Sequence, residues 1–180
     1  MKNVDLSAIK ASEKMPPVHL WKPELCGDMD LVIRSNGEWI HEGAPMKRAS
    51  MRKMFSRILW LEDGEHYLVT PHEKVHIQVE DAPFLVTQSN IERDSNACLV
   101  TFTTNVDDVL VLGKGCDLWV ETGPEGDRPY ISMRYGMKAM LHRSVYYDLV
   151  NNGYEKEIEG KQHVCIESAG KEFSLGIFDI

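Results

Sequence analysis

Apolar and polar residues follow two periods along this chain of 180 residues, and each period predicts a type of element. Short apolar or alternating runs predict strands at 31–34, 38–41, 66–69 and 75–79. Asn36-Gly37 lies between the first two runs and favours a tight primed turn, because both central residues of that turn take positive φ. Apolar residues at helical spacing predict a helix over 47–61, formed through Met51, Met54, Phe55, Ile58 and Leu59.

The same order of elements is predicted a second time further along the chain. Strands are expected at 117–122, 129–134, 163–167 and 172–175. A helix is expected over 137–152, with apolar positions at Met137, Met140, Leu141, Val145, Tyr146, Leu149 and Val150. Strand-strand-helix-strand-strand therefore occurs twice, and further strands are predicted between the two blocks, at 84–86, 99–103 and 109–112. The sequence predicts an α+β protein with a duplicated unit and a larger second half.

The blocks divide the chain into three predicted regions. Residues 1–20 form an N-terminal lead-in, in which Pro16-Pro17 disfavours helix at the preceding residues. Residues 21–82 form an N-terminal α+β domain, and residues 83–180 form a C-terminal α+β domain. The length is ordinary for a globular protein with one domain or two small ones.

Charge is concentrated in one part of the chain. Ten acidic and two basic residues lie between Glu80 and Asp127, which accounts for the whole net charge of −8. Such a region repels phosphate backbones and anionic lipid, so we expect no nucleic-acid partner and no membrane partner. There is no apolar run of transmembrane length and no apolar stretch typical of a secretion signal, and the four cysteines form no C-x-x-C pair. We therefore expect a cytoplasmic protein with reduced thiols.

One segment matches the residue pattern of a zinc-peptidase motif but not the helical structure that the motif requires. His72-Glu73-Lys74-Val75-His76 fits H-E-x-x-H, which needs a helix to aim both imidazoles at the metal. Pro71 precedes the motif, and the alternation that follows it predicts a strand. Phosphate loops, dinucleotide-binding loops and nucleophile elbows are absent from the sequence. We therefore predict no metal and no cofactor, and we favour a non-enzymatic protein.

Several sequence blocks resemble a bacterial family of unknown function. They run over 21–30, 68–84, 102–108 and 134–150, in the family's order, and they include Trp21-Lys22-Pro23-Glu24-Leu25-Cys26-Gly27-Asp28 and Phe102-Thr103-Thr104-Asn105-Val106-Asp107-Asp108. The family is the one called domain of unknown function 1285. The resemblance implies a duplicated α+β fold whose second half is superficially like pleckstrin-homology domains. It also implies a small nucleotide-like ligand between the two halves and a role in signal transduction, and it supplies no catalytic residue.

The candidate ligand-binding residues are the polar ones in those blocks: Glu24, Asp28, Glu73, Lys74, Asn105, Asp107, Arg134 and His142. Lys74 or Arg134 would hold an anionic group, and the carboxylates would accept hydrogen bonds from sugar or base donors. Each of these residues could equally be a cap or a buried hydrogen-bond anchor. On the second helix, His142, Arg143, Tyr146 and Tyr147 are also candidates to line a cleft, with core packing the alternative for Tyr146.

We predict a ligand-binding or sensor protein with a cleft between its halves. One alternative is an enzyme of unknown class that uses Glu73 or His142 as a general acid or base. The other alternative is a protein-interaction module, in which the acidic middle or a basic cluster meets a partner chain. That basic cluster, which could also be an ordinary solvated helix face, consists of Lys47, Arg48, Arg52, Lys53 and Arg57.

Overall fold

The structure, a computed structural model, describes residues 14–94, 97–124 and 126–177. Most of residues 1–20, the predicted lead-in, lie outside this part of the chain. The chain divides into two compact units. The first unit ends at Pro83 and also includes residues 135–137, and the second unit contains the remainder from Phe84 onward. In the described part of the chain strands dominate both units, and each unit has one α-helix there, so the predicted α+β class is confirmed.

The described residues of the first unit form one mixed sheet of six strands and one helix. Its elements are β1 (Leu25–Ile33), β2 (Trp39–His41), β3 (Ala44–Pro45), α1 (Ala49–Ser56), β4 (Leu59–Glu62), β5 (Glu65–Val69) and β6 (Lys74–Val79). The strand order is β3-β2-β1-β6-β5-β4. Only β1 and β6 run parallel, and the other neighbours are antiparallel. The central parallel pair therefore joins the strands before α1 to the strands after it.

The hairpin of β1 and β2 lies where the sequence predicts it, but its turn is not the predicted tight primed turn, because Gly37 takes positive φ and Asn36 does not. Gly37 has φ +84°, and the Asn36 side chain accepts a hydrogen bond from the Glu38 N–H at 3.0 Å. Ile33 and Trp39 face each other across the hairpin and are both fully buried. The predicted hairpin is therefore confirmed and the predicted turn type is wrong, since the chain reverses in a longer loop in which the Gly37 N–H donates to the Arg34 carbonyl at 2.9 Å and the Arg34 N–H donates to the Glu38 carbonyl at 2.8 Å.

The first helix is shorter than predicted. Residues 47–61 are expected to be helical, but α1 ends at Ser56 and β4 begins at Leu59. Ile58 and Leu59 are fully buried, and Leu59 pairs with Leu68 of β5. The apolar pair Ile58-Leu59 is compatible both with the last turn of an amphipathic helix and with the start of a strand. Hydrogen bonding to β5 stabilises the strand conformation at Leu59.

Two sheets and one helix form the second unit. Its elements are β7 (Phe84–Arg93), β8 (Cys98–Thr104), β9 (Val109–Val111), β10 (Leu118–Gly123), β11 (Gly126–Ser132), β12 (Lys138–Leu141), α2 (Arg143–Asn151), β13 (Tyr154–Ile158), β14 (Lys161–Ser168) and β15 (Lys171–Ile177). The larger sheet has the order β10-β11-β12-β7-β8-β9, in which β12 and β7 are parallel. The smaller sheet has the order β13-β14-β15.

The prediction of one helix over residues 137–152 is wrong in its first third. Residues 138–141 form β12, and α2 begins only at Arg143. Ala139 and Leu141 alternate with Lys138 and Met140 between buried and half-buried environments, as in a strand with one buried face. Pairing with β7 satisfies this segment's backbone groups, and the helical spacing of the methionines is therefore coincidental.

Three strands, a helix and three strands follow one another in both blocks. The predicted order of two strands, a helix and two strands is thus present in each block with one further strand on either side of the helix. The pairing differs between blocks. In the first block the two sets of strands share one sheet, whereas β10–β12 and β13–β15 lie in different sheets.

Inside the second unit, Ser168 connects the two sheets. Its hydroxyl accepts a hydrogen bond from the Val100 N–H at 2.9 Å and donates one to the Leu112 carbonyl at 2.7 Å. All three residues are completely buried. One hydroxyl therefore satisfies two backbone groups that the strand ladders leave unpaired.

Candidate functional site

Two of the predicted site residues of the first unit, Asp28 and Lys74, lie in two charged clusters on its sheet. His76 on β6 lies opposite Asp28 on β1, and its Nδ1 is 3.0 Å from an Asp28 carboxylate oxygen. Its Nε2 is 3.0 Å from a carboxylate oxygen of Glu65 on β5. Hydrogen bonding to Glu65, opposed by partial burial and reinforced by Asp28, raises the pKa of His76. Because His76 lies on a strand, the prediction that H-E-x-x-H here is not a helical zinc motif is confirmed.

The second cluster in this unit surrounds Lys74. Its amine forms an ion pair with Glu62 and lies 4.3 Å from the centroid of the Tyr67 ring. Glu73 precedes it in a turn closed by Thr70, whose hydroxyl accepts the Glu73 N–H at 3.1 Å. Glu24, just before β1, is exposed to solvent. The positive charge of Lys74 is therefore already balanced by a carboxylate.

The predicted residues of the second unit hold its turns and strands. The Asn105 side chain accepts the Leu85 N–H at 3.2 Å, and Asp107 occupies a turn with φ +63°. Arg134 forms an ion pair with Asp108, with an N–O distance of 2.5 Å. His142 caps α2, since its Nδ1 accepts the Ser144 N–H at 3.3 Å. Asn105, Arg134 and His142 therefore make structural contacts of the kind that the sequence analysis left open as the alternative.

The basic cluster around α1 also makes contacts with the backbone. Arg52 donates hydrogen bonds to the carbonyl oxygens of Met46 and Lys47, at 2.6 and 3.1 Å. Arg57 donates to the carbonyl oxygen of Lys14. Part of this cluster therefore fixes the chain segments beside the helix.

A cleft of about 350 Å³ lies along α2 and is named the α2 cleft here. It is lined by Gly126, Asp127, Pro129, Leu141, Arg143, Tyr146, Tyr147 and Val150. The helix contributes positions 143, 146, 147 and 150, which lie on one face because they are three and four residues apart. Val145 and Leu149 are buried on its other side. The prediction that Arg143, Tyr146 and Tyr147 line a cleft is confirmed, while His142 serves as the helix cap.

The polar groups of the α2 cleft differ in how they are held. Tyr146 is fixed, because its hydroxyl donates a hydrogen bond to the Leu175 carbonyl. Burial first, and then the nearby Asp127 and Tyr147, raise the pKa of Tyr146. Asp127 accepts a hydrogen bond from the Thr122 hydroxyl at 2.9 Å. Arg143 is exposed and has no ion-pair or hydrogen-bond partner among the described residues.

A second cleft, of about 650 Å³, follows the outer edge of β10 and is named the edge cleft here. It is lined by Leu118, Trp119, Val120, Thr122, Asp127, Lys161, His163, Ser174, Gly176 and Ile177. Asp127 is common to this cleft and the α2 cleft. None of the eight predicted site residues lines either cleft. The sequence analysis did not select Asp127 and Lys161, because neither belongs to a recognisable motif. The hairpin of β10 and β11 brings Asp127 to both clefts, and the hairpin of β13 and β14 brings Lys161 to the edge cleft.

The described ranges contain no group of three His, Cys, Asp or Glu side chains that could hold a metal ion. Cys116 is buried, and burial followed by the charge of Asp117 raises the pKa of its thiol to about 11. That thiol is therefore protonated at neutral pH and is a poor nucleophile. No helix in the described part of the chain has the length and apolar character needed to cross a membrane.

Fold and sites together define a two-domain α+β protein. Family models match both units: "Domain of unknown function (DUF1285), N-terminal domain" at residues 16–82, and "Protein of unknown function (DUF1285), C-terminal domain" at residues 83–175. The chain belongs to the DUF1285 family, as the sequence resemblance predicts.

Two crystal structures resemble this chain. A DUF1285 family protein from Silicibacter pomeroyi DSS-3 is 36% identical, with 96% of this chain and 94% of that chain covered and a TM-score of 0.84. A DUF1285 family protein from Shewanella baltica OS155 is 29% identical, with 70% of this chain and 94% of that chain covered and a TM-score of 0.56. A search of curated proteins gave no significant match.

Proposed function

We propose that this protein is a non-enzymatic ligand-binding protein that binds a small nucleotide-like molecule in the α2 cleft. The observation that carries the proposal is the grouping of one unpaired guanidinium, one carboxylate and two phenol rings around a cleft with an apolar floor. Its volume of about 350 Å³ lies within the usual range for small-molecule sites.

Each part of such a ligand has a matching group in the cleft. The Arg143 guanidinium would bind phosphate oxygens, in the bidentate geometry that suits its planar donors. The Asp127 carboxylate would accept hydrogen bonds from sugar hydroxyls or base amines. Tyr147, which is 57% exposed, offers a ring face on which a base could stack.

Arg143 is better suited to bind an anionic ligand than Lys74 or Arg134, the two basic residues that the sequence analysis selected for this role. Lys74 and Arg134 are already paired with Glu62 and Asp108, so each would have to leave a carboxylate before binding a phosphate. Breaking either pair would leave a carboxylate unpaired, at a free-energy cost. Ligand binding between the two halves, which the family resemblance implies, stays a prediction.

The wider role is also part of the proposal. We propose a cytoplasmic role in signal transduction, in which the ligand-bound protein acts on a protein partner. We further propose that the two blocks are a duplication and that the second unit is pleckstrin-homology-like. The repeated order of three strands, a helix and three strands supports the first idea, and the two sheets with α2 support the second.

A thermal-shift screen of the full chain tests the proposal. The panel contains nucleoside monophosphates, triphosphates and cyclic nucleotides, with the corresponding nucleosides as uncharged controls. A ligand at ~100 times its Kd stabilises the folded state by ~2.7 kcal/mol, which is readily detected. We expect stabilisation by at least one phosphorylated member and a weaker effect of its nucleoside.

Arg143→Gln then locates the binding site. Loss of a charge-assisted hydrogen bond removes ~1.5–3 kcal/mol, so the Kd should rise about 10- to 100-fold. Arg34→Gln is the matched control, because it removes the same charge from an exposed position in the first unit. Equal affinities of both variants for the nucleotide, or a panel without any stabilising member, would reject the α2 cleft as its site.

A further inference from the structure

Basic residues cluster around α1 in the first unit. The cluster is named the α1 basic surface here, and it consists of Lys14, Lys47, Arg48, Arg52, Lys53 and Arg57. Lys14 belongs to it because Arg57 donates a hydrogen bond to the Lys14 carbonyl oxygen. No acidic residue lies between Ala44 and Leu61, whereas the other described residues of the first unit include three basic and eleven acidic side chains. The two signs of charge are therefore separated along the chain of this unit.

Hydrogen bonds and buried residues hold this surface in a fixed shape. Arg52 donates to the carbonyl oxygens of Met46 and Lys47, at 2.6 and 3.1 Å. Met46 is buried before the helix, and Phe55 is buried near its C-terminal end, so the segment is anchored in the core on both sides. A surface that is already ordered loses less conformational entropy on binding a partner than a mobile one does.

The arrangement of these charges is unfavourable for the helix alone. Lys47 and Arg48 lie at the N-terminal end of α1, where the helix dipole favours anions, and Arg48 makes no side-chain capping hydrogen bond. Arg48 and Arg52 are four residues apart, as are Lys53 and Arg57, and like charges at this spacing repel each other. Lys47, Arg48 and Arg52 form no ion pair with any other described residue. An anion bound over the surface would therefore stabilise these three charges.

We propose that the α1 basic surface binds an acidic segment of another protein, a run that contains several aspartate or glutamate residues. Lys47, Arg48 and Lys53 are exposed, so their charged groups can form ion pairs and charge-assisted hydrogen bonds with carboxylates of a partner. Ala49 and Ser50 are also exposed, and their small side chains let a second chain lie close to the helix. The eight residues of α1 rise over ~12 Å, which about four residues of extended chain would cover.

An acidic protein segment fits this surface better than a nucleic acid or an anionic membrane. Single-stranded nucleic acids stack their bases on exposed aromatic rings, and the exposed tyrosines of the described residues, Tyr147 and Tyr154, are both in the second unit. Duplexes and membranes extend far beyond the helix, so they would also meet the excess of acidic residues that gives the whole chain its net charge of −8. A short acidic segment contacts the α1 basic surface alone.

Fluorescence anisotropy of short labelled peptides, titrated with the full chain, tests binding. The panel places several glutamates at different spacings, and each control peptide has glutamine in place of every glutamate. Titration at ~0.15 M salt screens interactions between exposed charges that are more than ~8 Å apart, so the peptide must contact the surface. We expect saturable binding of at least one glutamate peptide and none of its glutamine control. A panel without saturable binding, or equal binding of peptide and control, would overturn the proposal.

The double variant Lys47→Gln, Arg48→Gln locates the binding site. Its matched control is the double variant Lys22→Gln, Arg34→Gln, which removes the same two charges from exposed positions in the same unit. We expect the Kd of the best peptide to rise at least about tenfold in the first variant and less than about twofold in the control. Equal changes would show that net charge alone attracts the peptide, and they would overturn the proposal. Amide shifts of the unaltered protein are independent of how the variants fold, and peptide should change them at residues 47–57; changes confined to other residues would overturn the assignment.

The same two variants test the competing occupants. Single-stranded RNA or phosphatidylserine vesicles that bind more tightly than every peptide, and lose binding in Lys47→Gln, Arg48→Gln, would overturn the assignment to a protein segment. Light scattering that shows a dimer which dissociates in this variant would assign the surface to a second copy, with the same consequence. A monomer that binds the acidic peptide most tightly supports the proposal. The residues that line the α2 cleft all belong to the second unit, so this proposal does not depend on nucleotide binding and the two can fail separately.

Discussion

Removing the Ser168 hydroxyl should lower the free energy of unfolding of the second unit substantially, although the change deletes a single oxygen atom. Ser168→Ala deletes one oxygen, and the Val100 N–H and the Leu112 carbonyl then have no partner in a fully buried environment. Each unsatisfied buried group costs ~1–3 kcal/mol. We therefore expect the free energy of unfolding to fall by ~2–6 kcal/mol, which is a large fraction of the stability of a domain of this size.

Urea unfolding and amide exchange measure this effect together. Unfolding gives the loss of free energy, and exchange should accelerate at the Val100 amide because its acceptor is gone. Ser89→Ala is the matched control, since it removes an exposed hydroxyl that donates to Asp148 at 3.1 Å, and it should cost less than ~0.5 kcal/mol. If Ser168→Ala is no more destabilising than Ser89→Ala, the argument that this hydroxyl connects the sheets is wrong.

Two further predictions concern one residue in each unit. The pKa of His76, raised mainly by Glu65 and also by Asp28, should fall in Glu65→Gln when followed by NMR titration. The interaction of protonated His76 with Glu65 should contribute fully to stability below the unfolded-state pKa of 6.5, and this contribution should be lost as the pH rises through the folded-state pKa. An unchanged pKa of His76 in Glu65→Gln would contradict this account. Gly153→Ala should destabilise the second unit by ~1–3 kcal/mol, because the new Cβ would lie 2.7 Å from a Val164 methyl carbon. Thermal unfolding measures this loss, and a variant that unfolds at the same temperature as the parent protein would show that the predicted clash is wrong.

Local sequence patterns predicted most strands of this fold, but they placed the helix boundaries poorly. The apolar residues on either side of Asn36-Gly37 predicted the hairpin and its pairing, but the turn itself also depends on a distant residue, since the Ser35 N–H donates to the Glu80 carboxylate at 2.9 Å. The boundary between β12 and α2 is different, because His142 caps the helix and histidine is not among the usual capping residues. Residues 138–141 are a strand because β7 lies beside them, and a pairing over such a sequence distance leaves no local signal.

Contacts between residues that are distant in sequence also determine which candidate residues lie together. Asp28 and His76 are far apart in sequence and meet only through the parallel pairing of β1 and β6. Arg134 is a plausible anion ligand by residue type, but the fold places Asp108 within 2.5 Å of it. Arg143 and Tyr147 could be predicted because helical spacing alone places them on one face. Asp127 could not be predicted, since the hairpin of β10 and β11 brings it to the helix.

Amide chemical shifts of the isotope-labelled full chain, titrated with the nucleotide that gives the largest thermal shift, test the central proposal most directly. Binding in the α2 cleft predicts that the largest changes lie at residues 143–150 and 126–129 and are much reduced in Arg143→Gln. Changes centred on residues 24–28 and 73–76, or the absence of saturable changes, would contradict it.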